Sequence, residues 1–364
     1  MTPSRPTSIS ARVPRRSAGA RGVIARAIAC AVALALASPA SASATHAADA
    51  PTAAAAVGTP EGLLTWISRH SSNAAVAVLP DRGPAVLSFG AGRRQPLGST
   101  RKVLVAGALT ASRAKLSQRV PRSAVERFYV PGTDGGAHEH AQLDATRPTL
   151  RQLLRAAIEV SDNASADALL ERIGVPAVNA WARRQGLARQ DPIYPLLGEF
   201  AAWTRDPLWT QRTPSERARR ALVVARDVPA GEISLPEIDE QRRLAAASVA
   251  GTAADWARLM RRIGRHGDPE LVTALDWPRR QNEQMARRFD RFLAKGGSLP
   301  GLITEADYVR PAGRPGAAIA LFLRDLPPAV EQTLQRTFAQ QKLIVRLATD
   351  AAFLERARRV LAEK

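Results

Sequence analysis

Serine and lysine stand three residues apart twice in this chain, in Ser99-Thr100-Arg101-Lys102 and in Ser112-Arg113-Ala114-Lys115. With 21 serines and five lysines in 364 residues, chance alone gives about 0.3 such pairs, so the surroundings must decide which one matters. Ser99 follows Pro96-Leu97-Gly98 and opens an apolar helix, which places its hydroxyl at the positive end of the helix dipole beside unpaired backbone N–H groups. Ser112 falls near the end of the same helix, where the dipole disfavours an oxyanion. The i, i+3 spacing puts Ser99 and Lys102 on one helical face, and Val103-Leu104-Val105 after the lysine predicts that its amine is buried. A buried amine kept neutral is able to take the serine proton, so the pair reads as an activated nucleophile.

Two further groups follow in order. Ser161-Asp162-Asn163 comes 62 positions after Ser99, and Lys295-Gly296-Gly297-Ser298 comes 134 positions after Ser161. Each alone is ordinary turn chemistry, an Asn/Asp stop after a helix or a Gly-Gly-Ser loop. Three such groups in this order are a stronger signal than any one of them alone.

The elements that must carry these residues are legible in outline. Thr59-Pro60 caps a first helix with Leu63, Leu64 and Ile67 on one face. Asn73–Leu79 and Ala85–Phe89 read as strands around the turn Pro80-Asp81-Arg82-Gly83-Pro84. Arg101–Leu116 reads as the helix after Ser99, and Thr149 with Gln152 forms a capping box that opens a helix over Leu150–Val160. Further helices are expected at Ala166–Arg172, Ala177–Gln185, Ser215–Ala225, Ala253–Ile263 and Gln281–Leu293, then strands at Gly301–Tyr308 and Ala317–Leu323, then two closing helices. Strands at both ends with helices between predict an α/β (α+β) domain in which N- and C-terminal strands share one sheet around an inserted helical region.

On these motifs the chain resembles the class A β-lactamases and penicillin-binding serine enzymes, whose signature is S-x-x-K, then S-D-N, then K-T-G. The resemblance covers residues 59–325 and extends to Ser99–Leu104, Ser161–Ala166, the capped segment Thr252–Ala257, Leu299-Pro300-Gly301 and Ala306–Val309. It implies a β-lactamase/transpeptidase-like fold, with an antiparallel sheet flanked by helices. It implies Ser99 as the acylated nucleophile, Lys102 as its base or relay, and Ser161 as the proton donor to the leaving nitrogen. Asn163 would hold the substrate's side-chain amide, Lys295 would supply positive potential for a substrate carboxylate, and Gly297 would let the substrate lie against the strand. The backbone N–H groups of Ser99 and Ser298 would form the oxyanion hole. The implied reaction is opening of a β-lactam amide bond through acyl-Ser99. The alternatives are a D-Ala-D-Ala carboxypeptidase or other penicillin-binding-type enzyme acting on a peptidoglycan stem peptide, and an inactive binding protein on the same fold. No cofactor and no metal is called for.

The chain departs from the pattern twice. Gly296 stands where the family has Thr or Ser, so a hydroxyl for the substrate carboxylate is missing. The segment 186–251 is lengthened and has no clear E-x-x-x-N loop for a deacylating water, which leaves Glu199 as the candidate base, with a helix-surface glutamate as the alternative.

Composition sets the remaining bounds. The net charge is +19, but the arginines come as scattered pairs interleaved with acids, with no basic arm, and nucleic acid is not an expected partner. Six arginines and no acid among residues 1–26, an apolar run Ala27–Ala37 and small residues to Ala44 read as a secretory signal peptide over 1–44, followed by a mobile lead-in over 45–58 and one domain over 59–364. The apolar run is too short for a membrane span. The expected product is a periplasmic or extracellular monomer free of cysteine, since Cys30 is the only one in the chain. His138-Glu139-His140 lacks the i, i+4 spacing of a zinc helix, and Trp203 and Trp209 read as packing residues.

Overall fold

The computed structural model describes residues 56–133 and 146–362. The signal-peptide and lead-in assignments, apart from residues 56–58, and the His138-Glu139-His140 loop lie outside the described residues. In chain order the helices are α1 (Pro60–Arg69), α2 (Lys102–Thr110), α3 (Ser123–Glu126), α4 (Leu150–Glu159), α5 (Asn163–Ile173), α6 (Val175–Arg184), α7 (Leu196–Arg205) and α8 (Pro214–Asp227). They continue as α9 (Ile238–Ala245), α10 (Ala253–His266), α11 (Pro269–Leu275), α12 (Trp277–Arg280), α13 (Glu283–Arg288), α14 (Pro328–Thr337), α15 (Ala339–Thr349) and α16 (Ala351–Ala362). The strands are β1 (Ala74–Pro80), β2 (Leu87–Phe89), β3 (Arg94–Pro96), β4 (Ala250–Thr252), β5 (Phe289–Leu299), β6 (Leu302–Pro311) and β7 (Ala317–Leu323).

One antiparallel sheet in the order β2-β1-β7-β6-β5 joins the two ends of the chain, as the strand order in the sequence implied. Strands β1 and β7 are apolar on both faces, as covered strands are, and the sheet is sandwiched: α10 packs on β1, β6 and β7, and α15 packs on β6 and β7 while touching α1. Gly264 of α10 lies so close to the Tyr308 ring that no side chain fits between them, which brings the helix down onto β6. Strand β5 forms one edge of the sheet and leaves an edge for a ligand chain to follow.

Local chemistry explains most of the elements. Thr59 accepts from the Gly62 amide at 3.1 Å with Pro60 in the first turn of α1. Both halves of the Thr149/Gln152 capping box form at α4. Two expectations need correction. The helix after Ser99 begins as a 3-10 turn over Gly98–Arg101 and ends at Thr110 rather than Leu116, because Thr110 and Ser112 turn their hydroxyls onto the carbonyls of Gly107 and Leu109. The expected helix Gln281–Leu293 is a six-residue helix capped by Asn282, after which Phe289 enters β5. The Phe289 and Phe292 rings meet edge to face at 5.2 Å, so their spacing, which reads as helical, belongs to strand packing.

The lengthened segment 186–251 holds α7, α8 and α9 and returns through β4, which pairs with β3 just before Ser99. Trp203 and Trp209 are buried within it, as packing residues. Among the described residues no helix is long and apolar enough to cross a membrane, and no three His, Cys, Asp or Glu side chains gather for a metal.

Candidate active site

Ser99 sits in the 3-10 turn that leads directly into α2, almost completely buried at 5% exposure. The turn is held from below by β5 and β6. Gly98 adopts φ +51°, and a Cβ there would come within 3.1 Å of the Ser298 amide nitrogen and 3.3 Å of the Gly297 carbonyl carbon. A glycine is required on both counts. The same closeness places the Ser298 N–H beside the Ser99 turn, where an oxyanion donor is needed. Gly297 is equally constrained, since a Cβ would come 2.6 Å from Thr304 Oγ1 and 2.7 Å from the Thr100 nitrogen. Thr304, opposite Gly297 in the β5–β6 register, donates to the Leu97 carbonyl at 2.8 Å and lies 2.8 Å from Thr100 Oγ1, tying turn to sheet.

Lys102, Ser161 and Lys295 come together from three elements. Lys102 is 1% exposed in the first turn of α2, and its Nζ donates to the Ser161 carbonyl oxygen and, at 3.1 Å, to Ser161 Oγ. Lys295 projects from β5 and donates to Ser161 Oγ at 3.1 Å and to the Gly296 carbonyl at 2.6 Å. Ser161 holds a left-handed conformation, φ +61°, uncommon for a residue with a side chain and sustained here by these contacts. A hydroxyl oxygen has two lone pairs and one proton. With both lone pairs of Ser161 taken by the N–H groups of Lys102 and Lys295, its proton is left to be donated outward, the geometry a proton relay needs. Asp162 caps α5 by accepting from the Ser165 amide at 2.6 Å, which turns Asn163 into the first helical turn. Asn163 is 5% exposed and its Oδ1 has no hydrogen-bond partner among the described residues.

Glu199 lies on α7 and is fully buried, not on a helix surface. Its carboxylate forms an ion pair with Arg101 Nη1 at 2.5 Å and accepts a hydrogen bond from the Ser248 hydroxyl. Arg101 in turn stacks over the Tyr194 ring, 5.4 Å from its centroid. A second acid that sequence reasoning missed, Asp167, positions this helix. It takes the amides of Leu196 and Leu197 at 2.9 and 2.7 Å and so caps α7 from a distance. Burial pushes its carboxyl up to about 6, against the lowering pull of those two amides and of the Arg101 and Lys102 charges. Its signal in the sequence is the four-residue offset from Asn163, which keeps both on one face of α5. Arg101 gave no such signal, since its partner is 98 positions away.

The back of β5 carries another missed pair. Glu305 and Asp307 alternate along β6 on the face turned toward α15, and both are buried. Burial raises the Glu305 carboxyl to about 7 while Lys295 pulls it down, and burial next to Glu305 holds Asp307 well above the usual carboxylate range.

The profile of the Beta-lactamase enzyme family matches residues 63–351. No curated protein sequence matches the chain. Among solved structures the chain is similar to a β-lactamase from Sphaerobacter thermophilus, with 17% identity and a TM-score of 0.50 over 78% of this chain and 96% of that one. It is similar also to a β-lactamase from Burkholderia ambifaria, with 18% identity and a TM-score of 0.50 over 77% and 96% of the two chains. At such identities the likeness is one of fold.

Proposed function

The chain belongs to the Beta-lactamase enzyme family, and from that premise we propose that it is a serine β-lactamase-like hydrolase that opens amide bonds through an acyl-Ser99 intermediate. The observation that carries this reading is the meeting of Lys102 and Lys295 on Ser161 Oγ beside the Ser99 turn. Ser99 Oγ attacks the carbonyl carbon, its proton passing to Lys102 Nζ as the new C–O bond forms. The developing oxyanion lies between the backbone N–H groups of Ser99 and Ser298. As the C–N bond breaks, the leaving nitrogen takes the Ser161 proton, which Lys102 replaces, so no net charge is left behind. Asn163 offers its buried amide to the substrate's acyl side chain, and Lys295 holds Ser161 in place.

The second half-reaction needs a base for water. Glu199 is engaged by Arg101 and Ser248, and this favours slow deacylation, the behaviour of a penicillin-binding-type enzyme, over rapid β-lactam turnover. Pre-steady-state absorbance with a chromogenic cephalosporin tests the reading. The expected trace is a burst of one equivalent per protein followed by a much slower linear phase; linear turnover without a burst argues against rate-limiting deacylation, and no ring opening argues against β-lactams as substrates.

A further inference from the structure

Arg258, Arg261, Arg262 and Arg265 are interleaved with other residues in the sequence, but the helix gathers them. At about 100° per residue they fall within an arc of about 100° on α10, opposite the face that buries Trp256, Leu259, Met260 and Ile263. Arg258, Arg262 and Arg265 are exposed. Neighbouring segments widen the strip. On the flank of Arg261 and Arg265 lies the β1–β2 turn with exposed Arg82, held there because the two guanidinium groups donate to the carbonyls of Gly83 at 2.9 Å and Asp81 at 3.2 Å. On the flank of Arg262, a hydrogen bond of 3.2 Å to the Gln185 side chain sets the end of α6, with exposed Arg183 and Arg184, beside α10. Exposed Arg189 follows, its backbone N–H donating to Asp255 Oδ2 at 3.4 Å. Arg82, Arg183 and Arg184 make no ion pair among the described residues. The acids of this region are engaged internally. Asp255 is 4% exposed and pairs with Arg258, Asp81 accepts from the Tyr308 hydroxyl and the Gly316 amide at 2.8 and 2.7 Å, and Asp268 caps α11.

We infer that this arginine face of α10, with its two flanking segments, is a docking surface for a bilayer rich in anionic phospholipid. The cations are all arginine, whose planar fork meets two phosphate oxygens at once. They spread across the helix as well as along it, over three segments of the chain, which suits a plane of phosphates better than a single strand. The exposed large apolar side chains among the described residues, Leu208, Val223 and Ile238, lie in the lengthened segment and not on this face. Contact is therefore electrostatic, without a side chain to insert into the lipid and without an exposed aromatic ring on which bases could stack. None of these arginines belongs to the Ser99 cluster, so the inference stands apart from the acyl-Ser99 reading.

The test is co-sedimentation of the protein with vesicles of phosphatidylcholine, alone or with one-third phosphatidylglycerol. Binding is expected to the mixed vesicles only, and is expected to weaken by at least about tenfold as salt rises from about 50 to about 300 mM. Each arginine near an anionic surface strengthens binding about fivefold, so Arg183→Gln/Arg184→Gln/Arg262→Gln is expected to weaken it about a hundredfold at low salt. Arg287→Gln/Arg356→Gln/Arg359→Gln removes the same charge from exposed positions of α13 and α16 and is expected to change binding by less than about threefold. Equal binding to the two kinds of vesicle overturns the inference, and that measurement needs no substitution. Equal losses in the two triple variants overturn it as well, because net charge alone then accounts for the binding. Tighter binding to a duplex oligonucleotide than to the mixed vesicles, at equal accessible phosphate, overturns the bilayer in favour of a nucleic-acid strand.

Discussion

Replacing Arg101 with methionine isolates the buried ion pair beneath the nucleophile. Arg101 is 3% exposed and Glu199 1%, with the guanidinium 2.5 Å from the carboxylate, so neither charge has bulk water to fall back on. Arg101→Met leaves Glu199 with the Ser248 hydroxyl and removes the stacking on Tyr194. Breaking one side of a buried pair costs about 3–5 kcal/mol, because the remaining charge is left uncompensated. For a domain of this size that corresponds to a fall in Tm of roughly 5–8 °C. Replacing both partners, Arg101→Met with Glu199→Met, removes the stranded charge, so the double variant is expected to be more stable than the single one. Urea unfolding followed by tryptophan fluorescence reads both quantities. A single variant within about 1 kcal/mol of wild type, or a double variant less stable than the single, would refute the argument that this pair is buried and mutually dependent.

Other consequences can be checked with the same tools. The Asp167 carboxyl ionises near pH 4 in the unfolded chain but holds its proton to about 6 when folded. Its contribution is therefore fully present below about pH 4 and is lost as pH rises to 6, so the stability of Asp167→Asn relative to wild type is expected to grow by roughly 3 kcal/mol over that window; a pH-independent difference would remove burial as the cause. Gly98→Ala puts a Cβ against the Ser298 nitrogen in a left-handed turn and is expected to slow Ser99 acylation by at least about tenfold while lowering stability by about 1–3 kcal/mol. Thr304→Val keeps the shape and removes the hydroxyl that joins Leu97 to Thr100, with an expected loss of about 1–3 kcal/mol in urea unfolding.

The candidate cluster was far more legible than its support. Ser99, Lys102, Ser161 and Lys295 stand out because the proposed chemistry asks for serine and lysine in a fixed order, and in a chain with only five lysines each motif lysine is informative. The shared sheet was legible for a related reason: continuous apolar runs such as Ala74–Pro80 and Ala317–Leu323 are stable only when covered on both faces. What the sequence hides are pairings made by the fold across long separations. Glu199 reads as a free helical glutamate until α7 is seen lying against Arg101. Asp167 reads as one more helix residue until its carboxylate is found on the amides of Leu196 and Leu197. Phe289 and Phe292 mislead in the other direction, continuing a helical period into what tertiary packing makes a strand.

The central claim is that Ser99 is acylated with help from Lys102 and Ser161 and is slowly released. Time-resolved intact mass of the protein mixed with a penicillin, with Ser99→Ala in parallel, addresses it most directly. The account predicts one adduct of the full drug mass per wild-type chain, mapped by peptide analysis to Ser99, persisting long after free drug is removed, and none on Ser99→Ala. Absence of an adduct together with unconsumed drug, or an adduct that forms equally on Ser99→Ala, would contradict it.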